Sequence, residues 1–293
     1  MTSPRRILAL AALVAAISGD AWAASAMDLY YERTVMVAAD GRCRLFTPQL
    51  RAALSSGQAQ ARGAALRAGA SPDQIAATGR RAQAAAGRAA CNSPDITLAA
   101  RRVREGFEGY ARLQMQRFPG EIASWTADRA ISQQQAVWRL SQPASFGADR
   151  AIFGLSANVG GSRTALTAVV AFADEAQPFT ARIVMRDIGK TGGAYLSRGG
   201  ARAPLATRLP PRTATRAFLA QARGGAEKSL LPAGAKRGMS FRFPEAAATA
   251  IEALDPREAI AVEFLFAGPR GDVVRTAYVE VGDFAAGRAF LVR

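Results

Sequence analysis

The apolar residues of this chain change their spacing twice. Residues 7–17 carry no charge at all. From 28 to about 118 the apolar positions recur at steps of three and four. After about Ser132 they alternate in short β-branched and aromatic stretches. Side chains repeat every ~3.6 residues around a helix and every ~2 along a strand, so the three regimes predict different elements.

The middle regime reads as a set of helices with clear punctuation. Residues 28–39 carry Leu29, Val35, Met36 and Ala39, and Asp40-Gly41 stops them, glycine being the usual left-handed terminator. Thr47-Pro48 opens a second helix, with Thr as N-cap and Pro at the first position. Ser71-Pro72-Asp73-Gln74 repeats the device and adds a capping box. Ser93-Pro94-Asp95 opens a third such helix, predicted to run to about Phe118 with Ile96, Ala100, Val103, Phe107, Tyr110, Gln114 and Phe118 on one face. The apolar stripes are dominated by Ala. Small side chains let helices approach closely, and the links are short, which predicts an antiparallel bundle.

The last regime predicts strands at 136–140, 151–159, 164–173, 179–187 and 194–197, separated by Gly-, Asp- and Pro-rich turns. Residues 199–238 are rich in Gly, Pro and Arg, with one helical piece predicted at 214–222. A strand at 239–243, a helix at 244–254, strands at 259–267 and 273–281, and a terminal helix at 283–291 complete the chain. The fold class is therefore α+β. An N-terminal Ala-rich antiparallel helical bundle (24–132) precedes an antiparallel β-sheet or sandwich with a few helices (133–293). The ending from Met239, closing on Val281-Gly282-Asp283-Phe284, resembles invasion-associated locus B-type periplasmic domains. That resemblance implies a periplasmic setting and carries no site residue.

The first regime changes the picture of compartment. Met1 to Arg6 is short and basic, residues 7–17 are apolar, and Ala21-Trp22-Ala23 supplies an Ala-x-Ala cleavage signal. Together they predict a secretory signal peptide at 1–23 and export, with the bacterial periplasm as destination. A spanning helix needs roughly 20 apolar residues, and here Ser18-Gly19-Asp20 ends the run, so no integral membrane segment is expected after cleavage. In an oxidising compartment an even cysteine count favours pairing, so Cys43 and Cys91 are expected to form a disulfide.

Composition bounds the chemistry. Hydrophobic content of 49% against 21% charged describes a globular chain rather than a disordered one. Histidine is absent, which excludes Ser-His-Asp and Cys-His catalysis and every His-based metal site. No cofactor, metal site or catalytic set is expected. Ile188-Gly189-Lys190-Thr191 lacks the leading glycine of a phosphate loop, since position 184 is Val. Arg270-Gly271-Asp272 reads as a tight turn.

Charge is the remaining signal. The net charge is +15, and residues 182–242 hold 13 basic residues against Asp187 and Glu227, a net of +11. A field of one sign attracts anionic partners. The expected role is that of a non-enzymatic envelope protein. Its partner would be an anionic envelope component (lipopolysaccharide, lipid headgroups or wall polymer) or an acidic protein, and not nucleic acid. Arg198, Arg202, Arg208, Arg212, Arg216 and Arg223 are the candidate anion-binding residues. Two alternatives stand beside it. One is a wall glycan hydrolase using Glu105 or Glu108, which lie beside Phe107 and Tyr110 but also near Arg101 and Arg104 at ion-pair spacing. The other is a structural subunit of an envelope assembly, pairing through a sheet edge.

Overall fold

A computed structural model describes residues 17–196 and 203–292, with side chains from Ala26 onward. Helix α1 (Ile17–Cys43) is followed by α2 (Pro48–Arg67), α3 (Pro72–Arg88) and α4 (Pro94–Arg112). The three predicted starts are where the caps place them. Thr47, Ser71 and Ser93 each accept a backbone N–H three residues on, and the Ser71–Gln74 capping box is complete. The first 16 residues of the predicted leader lie outside the described residues. Its last seven continue directly into α1, which therefore begins well before the expected Asp28.

Helix α1 also outruns its predicted stop at Asp40-Gly41. Arg44, rather than Gly41, takes the positive φ, 53°, after the last turn. Asp40 explains the difference. Its carboxylate is buried, accepts from the Phe46 amide at 2.9 Å and pairs with Arg51, so this acid organises the following link instead of ending the helix. Cys43 is thus the last residue of α1. It is bonded to Cys91 between α3 and α4, with Cα atoms 5.6 Å apart.

The fourth helix is shorter than its periodicity suggested. It ends at Arg112, and Met115–Pro119 forms strand β1, paired antiparallel with β2 (Ser124–Asp128). Steps of four and three carried the helical pattern through Gln114 to Phe118. Burial decided otherwise: Phe118 is fully enclosed against Phe290, with ring centroids 6.1 Å apart. The large sheet therefore starts inside the stretch read as helical.

Further strands are β3 (Val137–Phe146), β4 (Asp149–Ala157), β5 (Thr164–Ala171), β6 (Thr180–Arg186), β7 (Thr215–Leu219), β8 (Ala222–Gly225) and β9 (Met239–Phe243). After helix α5 (Glu245–Ala253) come β10 (Ala259–Phe266), β11 (Val273–Glu280) and helix α6 (Phe284–Phe290). The first sheet has the order β1-β2-β3-β4-β5-β9-β8 and the second β11-β10-β6-β7, with every pairing antiparallel. The helix predicted at 214–222 is instead β7 and the start of β8. Phe218 pairs with Ile183 and packs on the core, a contact invisible to local propensity. Residues 194–196 carry no strand, and residue 197 of that predicted element lies outside the described residues.

The two sheets enclose one aromatic core. Trp125, Phe153, Phe172, Phe241, Phe243, Phe264, Phe284 and Phe290 belong to it together with Ile183, Val262 and Val279. Each such side chain stabilises by roughly 1.5–3 kcal/mol. Gly154 on β4 lies opposite a register shift between Trp138 and Leu140 on β3 and has φ of +154°. A Cβ there would sit 2.8 Å from the Leu140 carbonyl carbon and closer still to its oxygen. Gly154→Ala is expected to destabilise by about 2 kcal/mol or more, because the obstacle is backbone and cannot rotate away. A urea midpoint equal to that of the parent would contradict this.

The helices and the sandwich meet at α2 and α6. Ser56 donates to the Ala286 carbonyl at 2.9 Å and lies 2.9 Å from the Tyr110 hydroxyl. Arg62 donates to the carbonyls of Ala253 and Leu254, and Arg67 pairs with Asp283 at 2.6 Å. Arg129 stacks on the Phe290 ring and donates to the Ala111 carbonyl, tying the end of α4 to α6. Among the described residues no helix is long and apolar enough to cross a membrane.

Candidate anion-binding face

Among the described residues, the arginines singled out by sequence do not form one surface. Arg198 and Arg202 lie outside the described residues. Arg208 is buried: its Nη1 lies 2.8 Å from Glu121 Oε2 and donates to the Arg257 carbonyl, and its Nε donates to the Ala203 carbonyl. It is part of the internal framework, which corrects its assignment to a binding surface. Arg212 is exposed, Arg216 lies over the Phe218 ring at 4.5 Å, and Arg223 donates to the Pro178 carbonyl at 3.0 Å.

Three of the 13 basic residues of the +11 window are neutralised by acids outside it. Arg186 and Glu258 form a buried two-pronged pair at 2.7 and 2.8 Å. Arg182 pairs with Glu263 at 2.5 Å across β6 and β10. The Glu121 that holds Arg208 is itself positioned by Glu280. The Glu280 carboxylate is fully buried and accepts the amides of Glu121, Ile122 and Ala123 at 2.7, 2.9 and 2.7 Å. These partners stand 72 to 87 residues apart in sequence, so a running charge count cannot see them.

The remaining cations gather elsewhere. On β4, Ala151, Phe153 and Leu155 face the core, so Arg150 points to the opposite, outer side of the first sheet. Arg242 on β9 does the same, between the buried Phe241 and Phe243. The loop 226–238 is strapped over this outer side. Leu230 packs on Ala136 and Val169, and Trp138 Nε1 donates to the Leu230 carbonyl at 3.1 Å. Ser229 donates to the Ala136 carbonyl at 2.7 Å, and Arg150 to the Ala233 carbonyl at 2.7 Å. The loop exposes Lys228, Lys236 and Arg237, none of which makes an ion pair among the described residues. Arg150 and Arg242 thus stand on the side covered by a strap that itself exposes Lys228, Lys236 and Arg237, whereas Arg223, paired with the core residue Phe241, turns to the other side of the sheet.

Two hollows flank β9 under that strap. One, of about 560 Å³, is lined by Arg150, Lys236 and Arg237 with Phe172, Met239 and Glu175. The other, of about 240 Å³, is lined by Ser156, Asn158, Ser240, Arg242, Arg223 and Glu227. None of the five outward cations is among the six residues read from sequence, of which only Arg223 lines either hollow. The signal that could have found them was the basic cluster Lys236-Arg237 beside turn-forming glycines.

The carboxylates considered for catalysis are placed differently. Glu105 and Glu108 are 68% and 64% exposed on α4. Glu105 pairs loosely with Arg101 at 3.9 Å, as spaced, but Glu108 pairs with Arg112. Arg104, its expected partner, donates instead to the Leu45 carbonyl and lies over Phe46. Burial raises the pKa of Asp283 and of Glu252, each opposed by an arginine. Both line a crevice of about 10 Å³, far below the volume of a substrate pocket.

The fold and face together define a helix-capped antiparallel β-sandwich with a basic outer sheet. No known protein family, curated protein or solved structure matches the chain, so the likeness of its ending to invasion-associated locus B-type domains has no family match behind it.

Proposed function

We propose that this protein is an exported, non-enzymatic envelope protein that binds an anionic envelope component through the outer face of its first sheet. One observation carries the reading: Arg150 and Arg242 stand on the outer side of the first sheet beside a strap that exposes Lys228, Lys236 and Arg237, while Arg182, Arg186 and Arg208 are consumed by internal pairs. The Cys43–Cys91 bond suits an oxidising compartment, as does the predicted leader. Ala26 and Tyr30, which pack against α2, would both survive cleavage after Ala23.

Purified protein lacking 1–23 is expected to be retained on sedimented vesicles containing anionic lipid, on lipopolysaccharide or on wall sacculi at low salt. Release should follow as ionic strength rises and the Debye length shrinks from about 30 Å to about 8 Å. Lys236→Glu with Arg237→Glu should abolish most of the retention without changing the unfolding midpoint, since both side chains are exposed. Absence of low-salt retention on all three materials would overturn the proposal.

A further inference from the structure

Strand β7 is a sheet edge with an open ladder. Its one strand neighbour is β6. The Asp187 amide donates to the Ala214 carbonyl and the Ala220 amide to the Ala181 carbonyl, each at 2.9 Å, which fixes the alternation between the two strands. Bonded pairs recur at every second residue of an antiparallel ladder, so Arg216 and Phe218 form the bonded pairs with Met185 and Ile183. Ala217 and Leu219 therefore turn their N–H and C=O groups away from β6. Among the described residues nothing bonds to those groups. Ala217 is exposed, and Leu219 is 61% exposed. Other edges are blunted. On β1 the outward position 119 is a proline, which has no N–H to offer. At the end of β11 the Gln142 side chain bonds both the N–H and the C=O of Glu280, at 2.7 and 3.2 Å.

Charge decides what can join this edge. Arg216 lies on the core side of β7, opposite Met185 and over the Phe218 ring at 4.5 Å. Neither it nor the exposed Arg212 just before the strand makes an ion pair among the described residues. An inward-pointing charge on an edge strand discourages pairing with a like edge. A second copy of β7 would bring a second Arg212 and Arg216 to the same place, in a chain of net charge +15. A strand carrying carboxylates meets the opposite condition. We propose that β7 pairs antiparallel with an extended acidic segment of a partner protein, which becomes the fifth strand of the second sheet. The outward N–H and C=O groups of Ala217 and Leu219 make the main-chain bonds, and alternate side chains supply the selection. A carboxylate on the core side sits beside Arg216, and apolar side chains on the outer side lie against Ala217 and Leu219. This edge belongs to the second sheet and is separate from the basic outer face of the first.

The test adds a short end-blocked peptide of alternating Glu and Val to the purified protein at physiological salt and follows amide hydrogen exchange by NMR. In the free protein the amide of Phe218 should exchange slowly and those of Ala217 and Leu219 fast. With peptide at about ten times its Kd, exchange at Ala217 and Leu219 should slow about tenfold. In antiparallel addition with the acids on the core side, the valine amides face β7. N-methylation of the valines should therefore abolish the protection, and N-methylation of the glutamates should leave it. Arg216→Glu should weaken binding of this peptide about fivefold or more and admit a peptide of alternating Lys and Val instead. Ala217→Pro removes one outward N–H but no bond to β6, so it should weaken binding while the unfolding midpoint stays unchanged. Lys236→Glu with Arg237→Glu should leave peptide affinity within about twofold, which separates this edge from vesicle retention. No slowing at Ala217 and Leu219, equal slowing by the lysine peptide, or equal slowing by the valine-methylated peptide would each overturn the proposal, and all three are read on the parent protein. Concentration-dependent protection of Ala217 and Leu219 without peptide, together with a dimeric mass by light scattering, would overturn it in favour of a second copy.

Discussion

Glu258→Ala is expected to destabilise the protein by about 3–5 kcal/mol, as for removal of one partner of a buried ion pair. Glu258 is fully buried, holds both Nε and Nη2 of Arg186 and accepts the Asp255 amide at 2.8 Å. Taking away the carboxylate strands a guanidinium that is 7% exposed. Its Nη1 still reaches Thr191 Oγ1 at 2.9 Å, but a hydroxyl does not balance a buried charge. The cost therefore lies in the unpaired Arg186 rather than in the lost bond. For the same reason, replacing Arg186 and Glu258 together by Met should cost much less than either change alone. Chemical denaturation of the three variants measures this directly. A Glu258→Ala midpoint within about 1 kcal/mol of the parent would show that water reaches the pair. Glu105→Ala offers the contrast: an exposed, loosely paired glutamate on α4 should change stability by less than about 0.5 kcal/mol.

Loss of the Cys43–Cys91 bond should cost about 4 kcal/mol in the chain-entropy account, for cysteines 48 residues apart. The effect should be uneven. Helix α2 is held independently through Ser56, Arg62 and Arg67 against α5, α6 and their flanking residues. Among the described residues, helix α3 has no such side-chain tie to the sandwich. It packs chiefly on α1, through small residues such as Ala82 and Ala86, and Ala buries little area. Cys43→Ser with Cys91→Ser should therefore lower hydrogen-exchange protection in α3 first, while the sandwich strands keep theirs. Equal protection of α3 with and without the bond, or equal unfolding midpoints in the presence and absence of reductant, would contradict the account.

The same contrast between local and distant partners explains which parts of the fold were legible. Thr47, Ser71 and Ser93 cap helices through amides three residues away, so their role is written in consecutive residues. The two cysteines had each other as partners in a chain with no third. The hairpins β4–β5 and β10–β11 announced themselves through alternation and turn residues, whereas the β3–β4 turn, six residues past the expected end of the first strand, did not. Phe118 was misread because a step of four fits both a helix face and alternate positions of a strand. Only its burial against Phe290 separates the two. Phe218 was misread because β7 is a sheet edge whose single neighbour, β6, lies about 35 residues earlier in the chain.

The candidate site shows the division most clearly. An excess of base within 182–242 was visible in the sequence. Which arginines remain available was not. Sheet register brings Glu263 beside Arg182, and the turn held by Glu280 brings Glu121 to Arg208. The outward alternation of β4 and β9 collects Arg150 and Arg242 on one face, where the Leu230 anchor lays a basic loop over them. The capped starts of α2, α3 and α4, the disulfide pair, the α+β order and the sign of the charge were determined by residues acting on near neighbours or by composition alone. The partners of the arginines, and with them the shape of the basic face, were decided by tertiary structure, because an ion pair forms between groups the fold brings within a few ångströms regardless of their distance along the chain.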